Sequence, residues 1–253
     1  MAPSLPMTEW YADEGFWARI YPVLFSPELF ERATDEVDQL VELTGVSSGQ
    51  ALDLCCGPGR HAIPLAQRGF GVTGVDLSSY LLGEAKQRAE QAKVDVEWVA
   101  QDMREFVRPN TYSLIANLYT SFGYFQTEAE EMRTLKNMVE SLAENGVVVI
   151  DTLGKEALAE RLHADGLPVE ERDGSLLIQR VQVVDDWCRA KSEWIIATDD
   201  KVERVHFEHS LYSGKELREL MNWAGLSDVS LYGDIDGRPY GPGARRLVAV
   251  GRR

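Results

Sequence analysis

Cysteine is scarce in this chain: three in 253 residues, two of them adjacent at Cys55 and Cys56 and the third far off at Cys188. That number and spacing build neither a disulfide framework nor a zinc site, so the thiols read as small packing residues of a reducing compartment. Long apolar runs are missing as well. No stretch of about 18 uninterrupted apolar residues occurs, which excludes a transmembrane helix. Met1-Ala2-Pro3-Ser4-Leu5-Pro6 lacks the basic region and apolar core of a secretory signal, leaving the cytoplasm as the default location. Positive charge is in deficit, with 26 Lys and Arg against 41 Asp and Glu and a net charge of −15. Nucleic acids and anionic membranes are held by lysine and arginine, and no run of either is present. The expected partner is therefore a small molecule, with the chain a monomer or homodimer. Histidine is sparse too: His61, His163, His206 and His209. His206 and His209 are three apart on a predicted strand and point to opposite faces, so no metal pair and no metal is expected.

What is present begins at Ala51-Leu52-Asp53-Leu54-Cys55-Cys56-Gly57-Pro58-Gly59-Arg60-His61. A short apolar run carrying an acid meets a Gly-Pro-Gly turn, and a helical pattern follows at once. Glycine permits the sharp turn and lets a ligand approach main-chain N–H groups without an intervening Cβ. A second strand, Phe70 to Val75, ends in Asp76-Leu77-Ser78, and a third, Val94 to Ala100, leads into Gln101-Asp102-Met103-Arg104. Three strand ends thus bring Asp53, Asp76 and Asp102 to one rim, where ligands of parallel α/β sheets bind.

These segments together resemble the class I S-adenosylmethionine-dependent methyltransferases, over Gln50 to Asp151 with specific motifs and more weakly to the C-terminus. The resemblance implies a Rossmann-like α/β sheet with helices on both faces. It also implies S-adenosylmethionine as cofactor, with S-adenosylhomocysteine as product. Carried over, Asp53, Cys55, Gly57, Gly59, Arg60 and His61 would hold the methionine portion, Asp76 and Leu77 the ribose, and Gln101, Asp102 and Met103 the adenine. Asn117 and Leu118 would stand beside the methyl group. Cys55 departs from the pattern, since the family often has glycine there. Gly57-Pro58-Gly59-Arg60-His61-Ala62 also fits the G-x-G-x-x-A pattern of dehydrogenases, so a nicotinamide-dependent oxidoreductase stays open. So does a non-catalytic S-adenosylmethionine-binding protein.

The rest of the chain is organised around that core. With 44% hydrophobic residues, the length suits one sizeable α/β domain with an accessory element. Residues 1–45 are expected to form an N-terminal helical lid, 46–155 the cofactor-binding core, 165–212 a small antiparallel β insertion roofing the site, and 213–253 a closing helix and strands. Within the core, helices are predicted over Arg60–Gln67, Ser79–Gln91 and Thr127–Glu144. Strands are predicted over Gln50–Leu54, Gly71–Val75, Val94–Val99, Tyr112–Leu118 and Gly146–Thr152. Leu176–Asp186, Arg189–Ala197 and Val202–Leu211 read as the insertion's strands.

The acceptor side is read from aromatic residues. Trp10, Tyr11, Phe16, Trp17, Tyr21, Phe25 and Phe30 crowd the N-terminal segment, as lid and pocket or as simple packing on the sheet. After the fourth strand comes Asn117-Leu118-Tyr119-Thr120-Ser121-Phe122-Gly123-Tyr124, without the paired prolines of enzymes that methylate base amines or glutamine amides. Trp17, Tyr119, Phe122 and Tyr124 are the candidate substrate-binding residues, and the acceptor is a small molecule methylated on N, O or C. An amine or hydroxyl loses a proton during transfer. His206, Tyr11 and Tyr21 are the candidate catalytic groups, His209 being the other histidine of the same strand. Asp234-Ile235-Asp236-Gly237 is read as a turn, its calcium-ligand series being truncated.

Overall fold

In a computed structural model of the chain, residues 10–163, 169–172, 174–198, 200–241 and 243–253 are described. The start of the expected lid (1–9) and residues 165–168 of the expected insertion lie outside them, as does the His163 side chain.

Two helices, α1 (Glu14–Leu24) and α2 (Pro27–Thr44), precede the first strand. Asp13 caps α1 by accepting from the Phe16 N–H, while Pro27 opens α2 and Gly45, in the left-handed region at φ 71°, ends it. Then β1 (Gln50–Leu54), α3 (Ala62–Gln67), β2 (Gly71–Asp76), α4 (Ser79–Ala92), β3 (Glu97–Ala100) and β4 (Tyr112–Asn117) alternate. They are followed by α5 (Glu128–Ser141), β5 (Leu142–Thr152) and α6 (Lys155–His163). A second group of strands comes next: β6 (Val169–Arg172), β7 (Ser175–Val184), β8 (Arg189–Ala197) and β9 (Val202–Ser210). The described residues end with α7 (Gly214–Ala224), β10 (Ser227–Tyr232) and β11 (Leu247–Arg252). Capping boxes start α5 (Thr127 with Glu130) and α7 (Ser213 with Glu216), each satisfying two otherwise unpaired N–H groups.

The main sheet runs β10-β11-β5-β4-β1-β2-β3, parallel except at β11, which pairs antiparallel with β5 and β10. Side chains alternate between its faces with period two. Leu52, Leu54, Ile115, Val148, Ile150, Leu247 and Ala249 pack on one face with Leu135 and Met138 of α5 and Leu217 and Met221 of α7. Ala51, Leu114, Ala116, Val147, Val149, Val248 and Val250 pack on the other with α2 and α3. Burial on both faces is what a sheet with helices on both sides requires. The second sheet, β6-β7-β8-β9, is antiparallel throughout. No helix among the described residues is long and apolar enough to cross a membrane.

Several element boundaries differ from expectation. Helix α3 begins at Ala62, because residues 57–61 are spent on the turn. Strand β3 begins at Glu97, because Lys93 takes a left-handed cap at φ 56° and Val94 N–H still bonds to the Ala89 carbonyl. Helix α5 stops at Ser141, where Leu142 joins β5 opposite Tyr112. Helix α6 and the short β6 were not anticipated.

Candidate functional site

The carboxyl ends of β1, β2 and β4 open onto a cavity of about 520 Å³, inside the roughly 300–1,000 Å³ range of small-molecule sites. At its β1 end the chain enters the left-handed region twice within three residues. Cys55 sits at φ 64° and Gly57 at φ 53°, and the Gly57 N–H reaches back 2.8 Å to Asp76 Oδ2. The Ser78 N–H holds the other Asp76 oxygen at 2.9 Å, so turn and β2 tip form one unit. Gly59, at φ 78°, has a different reason to be glycine. A Cβ there would lie 2.8 Å from the Trp98 ring and 3.2 Å from Ala85. Gly57 lines the cavity; Gly59 lies behind it, under Trp98.

Asp53 is the most constrained acid of the site. It is 2% exposed and accepts from the Ala62 backbone N–H, while its Oδ2 has no protein partner. Burial pushes its carboxyl up to about 7, aided by Asp76 and opposed by that N–H and Arg60. Burial also lifts Asp76 to about 6 against the Ser78 and Gly57 N–H groups. A cavity-lining acid with an unpartnered oxygen fits a cationic ammonium group, and an acid at the tip of β2 fits ribose hydroxyls. Asp102 differs. Burial works against its charge, but Arg104 grips both oxygens (3.0 and 3.1 Å from Nε) and keeps it below the usual carboxylate range. Gln101, Asp102, Met103, Leu77 and Leu118 line the cavity with it. Asn117 does not; buried, it donates to the Leu54 carbonyl at 3.0 Å and braces β4 against β1.

Arg60 and His61 line the cavity but are engaged by a residue the sequence did not single out. Glu36 of α2 accepts from His61 Nε2 at 3.0 Å, meets Arg60 Nη2 at 3.2 Å and takes the Tyr119 hydroxyl at 2.6 Å. Burial resists its ionisation, but His61, Arg60 and Tyr119 hold its carboxyl down to about 2. The Arg60 guanidinium stacks 3.5 Å over the Tyr119 ring. Tyr119 and Thr120 both lie in the left-handed region, at φ 58° and 62°, a strained pair for non-glycine residues. Asp151, at the end of β5, fixes them: its Oδ2 takes the Tyr119 N–H and its carbonyl the Thr120 N–H, both at 2.9 Å. Arg246 closes the knot, 2.6 Å from Asp151 Oδ1 and 3.1 Å from Thr120 Oγ1.

The N-terminal helices are clasped over this rim. Glu14, one residue into α1, accepts from Ser78 Oγ (2.7 Å), Ser79 N–H (2.7 Å) and Tyr80 N–H (3.0 Å), all at the start of α4. A carboxylate there satisfies two free N–H groups and complements the helix dipole. Trp10, Tyr11 and Trp17 line the cavity from this side. Opposite them stands one face of the second sheet: Leu177, Gln179 and Val181 of β7, Ser192 and Trp194 of β8, Phe207 and His209 of β9.

Among the acceptor-side candidates, Trp17, Tyr119, Tyr124 and Tyr11 reach the cavity and three others do not. Phe122 is fully buried against Tyr212, 5.9 Å between ring centres. Tyr21 is turned to α4, its hydroxyl accepting from Arg88 at 2.7 Å. His206 lies on the outer face of β9, its side chain 54% exposed and 3.4 Å from Glu193. Parity of the strand then puts His209 inside. Glu14, Glu36 and Asp151 carried no local sequence signal, being joined to their partners only by tertiary contact. The inner face of the second sheet did carry one, in the alternation that sets Trp194, Phe207 and His209 on one side.

Residues 51–146 match the family described as Methyltransferase domain. Bacillus subtilis YqeM is 30% identical over 148 residues, 58% of each chain. The dTDP-3-amino-3,4,6-trideoxy-alpha-D-glucopyranose N,N-dimethyltransferase of Streptomyces venezuelae is 27% identical over 116 residues, 46% of this chain and 47% of that one. The chain thus spans about half the length of these curated relatives. Among solved structures, an S-adenosylmethionine-dependent methyltransferase from Clostridium acetobutylicum shares the fold at TM-score 0.76 and 18% identity, over 94% of this chain and 98% of the other. The chain thus carries a match to the Methyltransferase domain from β1 into β5 and shares the fold of a solved S-adenosylmethionine-dependent methyltransferase.

Proposed function

We propose that the chain transfers a methyl group from S-adenosylmethionine to a nitrogen, oxygen or carbon of a small acceptor bound between the N-terminal helices and the second sheet. The observation that carries this reading is the continuity of the cavity. One end is lined by Asp53, Gly57 and Asp76, the other by aromatic rings from α1, the segment after β4 and the second sheet.

S-adenosylmethionine supplies an activated methyl on a sulfonium, so the protein's part is to bind, align and exclude water. Asp53 would hold the ammonium group through its unpartnered oxygen, the Gly57 turn the carboxylate side, and Asp76 the ribose. Asp102 would reach the adenine only with the oxygen capacity that Arg104 leaves free. Trp17, Tyr119 and Tyr124 would enclose the acceptor, with Tyr119 fixed by Glu36 and Asp151. The S. venezuelae relative, named for an amino sugar, favours an amine among the acceptor types.

Calorimetric titration with S-adenosylmethionine, S-adenosylhomocysteine and NAD in parallel tests the cofactor. Micromolar binding of the two sulfur nucleotides without NAD is expected; binding of NAD alone overturns the reading. Release of S-adenosylhomocysteine against a pool of small amines and alcohols then tests the reaction, and none with any acceptor would leave a cofactor-binding protein without catalysis.

A further inference from the structure

The inner face of the second sheet holds a polar group that the cofactor end does not use. His209 is 4% exposed, lines the cavity, and has no protein hydrogen-bond partner on either ring nitrogen. Its ring lies 5.6 Å from Tyr124 and 6.3 Å from Phe207, centre to centre, and Trp10 packs against both of those rings at 5.3 and 5.1 Å. A buried polar group without a partner costs about 1–3 kcal/mol, so such a group in a cavity points to a ligand that completes it.

We infer that His209 orients the acceptor, hydrogen-bonding a neutral amine or hydroxyl carried on a ring or short hydrocarbon frame and fixing the direction of its nucleophilic lone pair. The inference rests on the methyltransferase reading above.

The neutrality of that partner follows from the surroundings. Burial and the charge of Arg189 lower the His209 pKa to about 4, so the ring is uncharged at neutral pH, with one N–H donor and one lone pair. No carboxylate is hydrogen-bonded to either of its ring nitrogens, and the nearby acids are engaged elsewhere. Arg189 of β8 donates to the Phe125 carbonyl at 3.2 Å and approaches Glu208 at 3.8 Å. Glu131 of α5 is taken by Ser210 Oγ at 2.7 Å, and burial raises it to about 7. Burial raises the Tyr124 hydroxyl, which stays protonated. An uncharged donor–acceptor ring complements a group that both gives and takes a hydrogen bond. It gives no counter-charge to an ammonium or a carboxylate. Gln179 and Ser192 lie on the same inner face, and the rings of Trp10, Tyr124 and Phe207 suit a flat or cyclic body.

The transfer balances without a further reactant. The acceptor lone pair forms the bond to the methyl carbon as the carbon–sulfur bond breaks and its electron pair returns to sulfur. On an amine the extra proton leaves with the product ammonium and is lost to water. On a hydroxyl, whose methylated oxonium is far more acidic, it crosses to the His209 lone pair and then to solvent.

The test uses the full chain labelled with ¹⁵N-histidine and saturated with S-adenosylhomocysteine, the His209 signals being identified by their loss in His209→Gln. Cyclohexanol is the neutral probe and cyclohexylammonium at pH 7 its cationic counterpart. Cyclohexanol should shift the His209 ring nitrogens saturably and the cation should not; no shift with cyclohexanol, or a ring that titrates above pH 6, overturns the inference. In turnover with any amine or alcohol found to release S-adenosylhomocysteine, His209→Phe should lower kcat/KM about five- to tenfold or more, mainly through KM. His209→Gln should recover most of it. Unchanged kcat/KM in His209→Phe also overturns the role. Binding of S-adenosylhomocysteine within twofold of wild type certifies that each variant is folded. If wild type itself does not bind it, the methyltransferase reading fails rather than this one.

Discussion

Asp53 is asked to do two opposed things, and replacing it with asparagine separates them. Its carboxyl stands at about 7 in the folded chain against 3.8 as a free side chain, chiefly through burial. A difference of about three pH units, at ~1.4 kcal/mol each, is roughly 4 kcal/mol spent on keeping the charge in the fold at pH 8. Because the folded value is the raised one, the cost is absent below about pH 4 and grows to its full size as pH rises through about 7, so stability is lost over that range. An amide is still polar and still buried, so Asp53→Asn should recover part of that cost, about 1–3 kcal/mol at pH 8 and less at pH 4.5. In a chain of this size that is a Tm increase of roughly 3–8 °C at pH 8. The same change removes the only charge on the oxygen that would meet the cofactor's ammonium. A charge-assisted hydrogen bond contributes about 1.5–3 kcal/mol, so affinity for S-adenosylhomocysteine should fall about 10- to 100-fold. Thermal denaturation of the ligand-free chain at both pH values, with calorimetry on the same samples, reads both effects. A Tm at pH 8 that is unchanged or lower, or an affinity that is preserved, would refute the reasoning.

Three other substitutions probe the rest of the rim. Cys55→Gly removes a side chain from a left-handed position that costs a non-glycine residue about 1–2 kcal/mol but loses its contact with Met103, so urea denaturation should show a gain of at most about 1 kcal/mol with S-adenosylhomocysteine affinity intact. Asp151→Asn leaves Arg246 without its counter-charge and the Tyr119–Thr120 turn without its anchor; it should destabilise by roughly 2–4 kcal/mol, and a loss under 1 kcal/mol by the same assay would contradict that role. Glu14→Gln weakens the clasp on α4, so limited proteolysis should cut within residues 10–25 several times faster than in wild type, and equal cutting rates would show that α1 is held by its apolar face alone.

The core of the fold was legible because each strand of the main sheet advertises itself twice, as a short apolar run and by the acid or glycine turn at its tip. Asp53, Asp76 and Gly57 could be placed for the same reason: their roles depend on position along one strand–turn–helix unit. Other parts depend on partners far away in the chain. Glu14 meets Ser78 and Glu36 meets Tyr119 across 64 and 83 residues, and nothing near Glu14 or Glu36 marks them apart from other helical acids. Strand parity showed that His206 and His209 face opposite ways, but which way is inward is set by how the second sheet docks on α1. A single turn of α1 likewise separates Trp17, in the cavity, from Tyr21, bound to Arg88. Helix α6 went unseen since its nine residues show only weak amphipathic periodicity.

The second sheet is one uninterrupted stretch of chain between α6 and α7, and it meets the cavity only through alternate residues of β7, β8 and β9. Its ladder is made by backbone groups that are indifferent to those side chains. Seven inward positions can therefore be exchanged among residues that favour strands without touching the β1–β2 rim that would bind the nucleotide. A library confined to Leu177, Gln179, Val181, Ser192, Trp194, Phe207 and His209 would therefore reshape the wall of the cavity opposite α1 while leaving the strand-tip acids as they are.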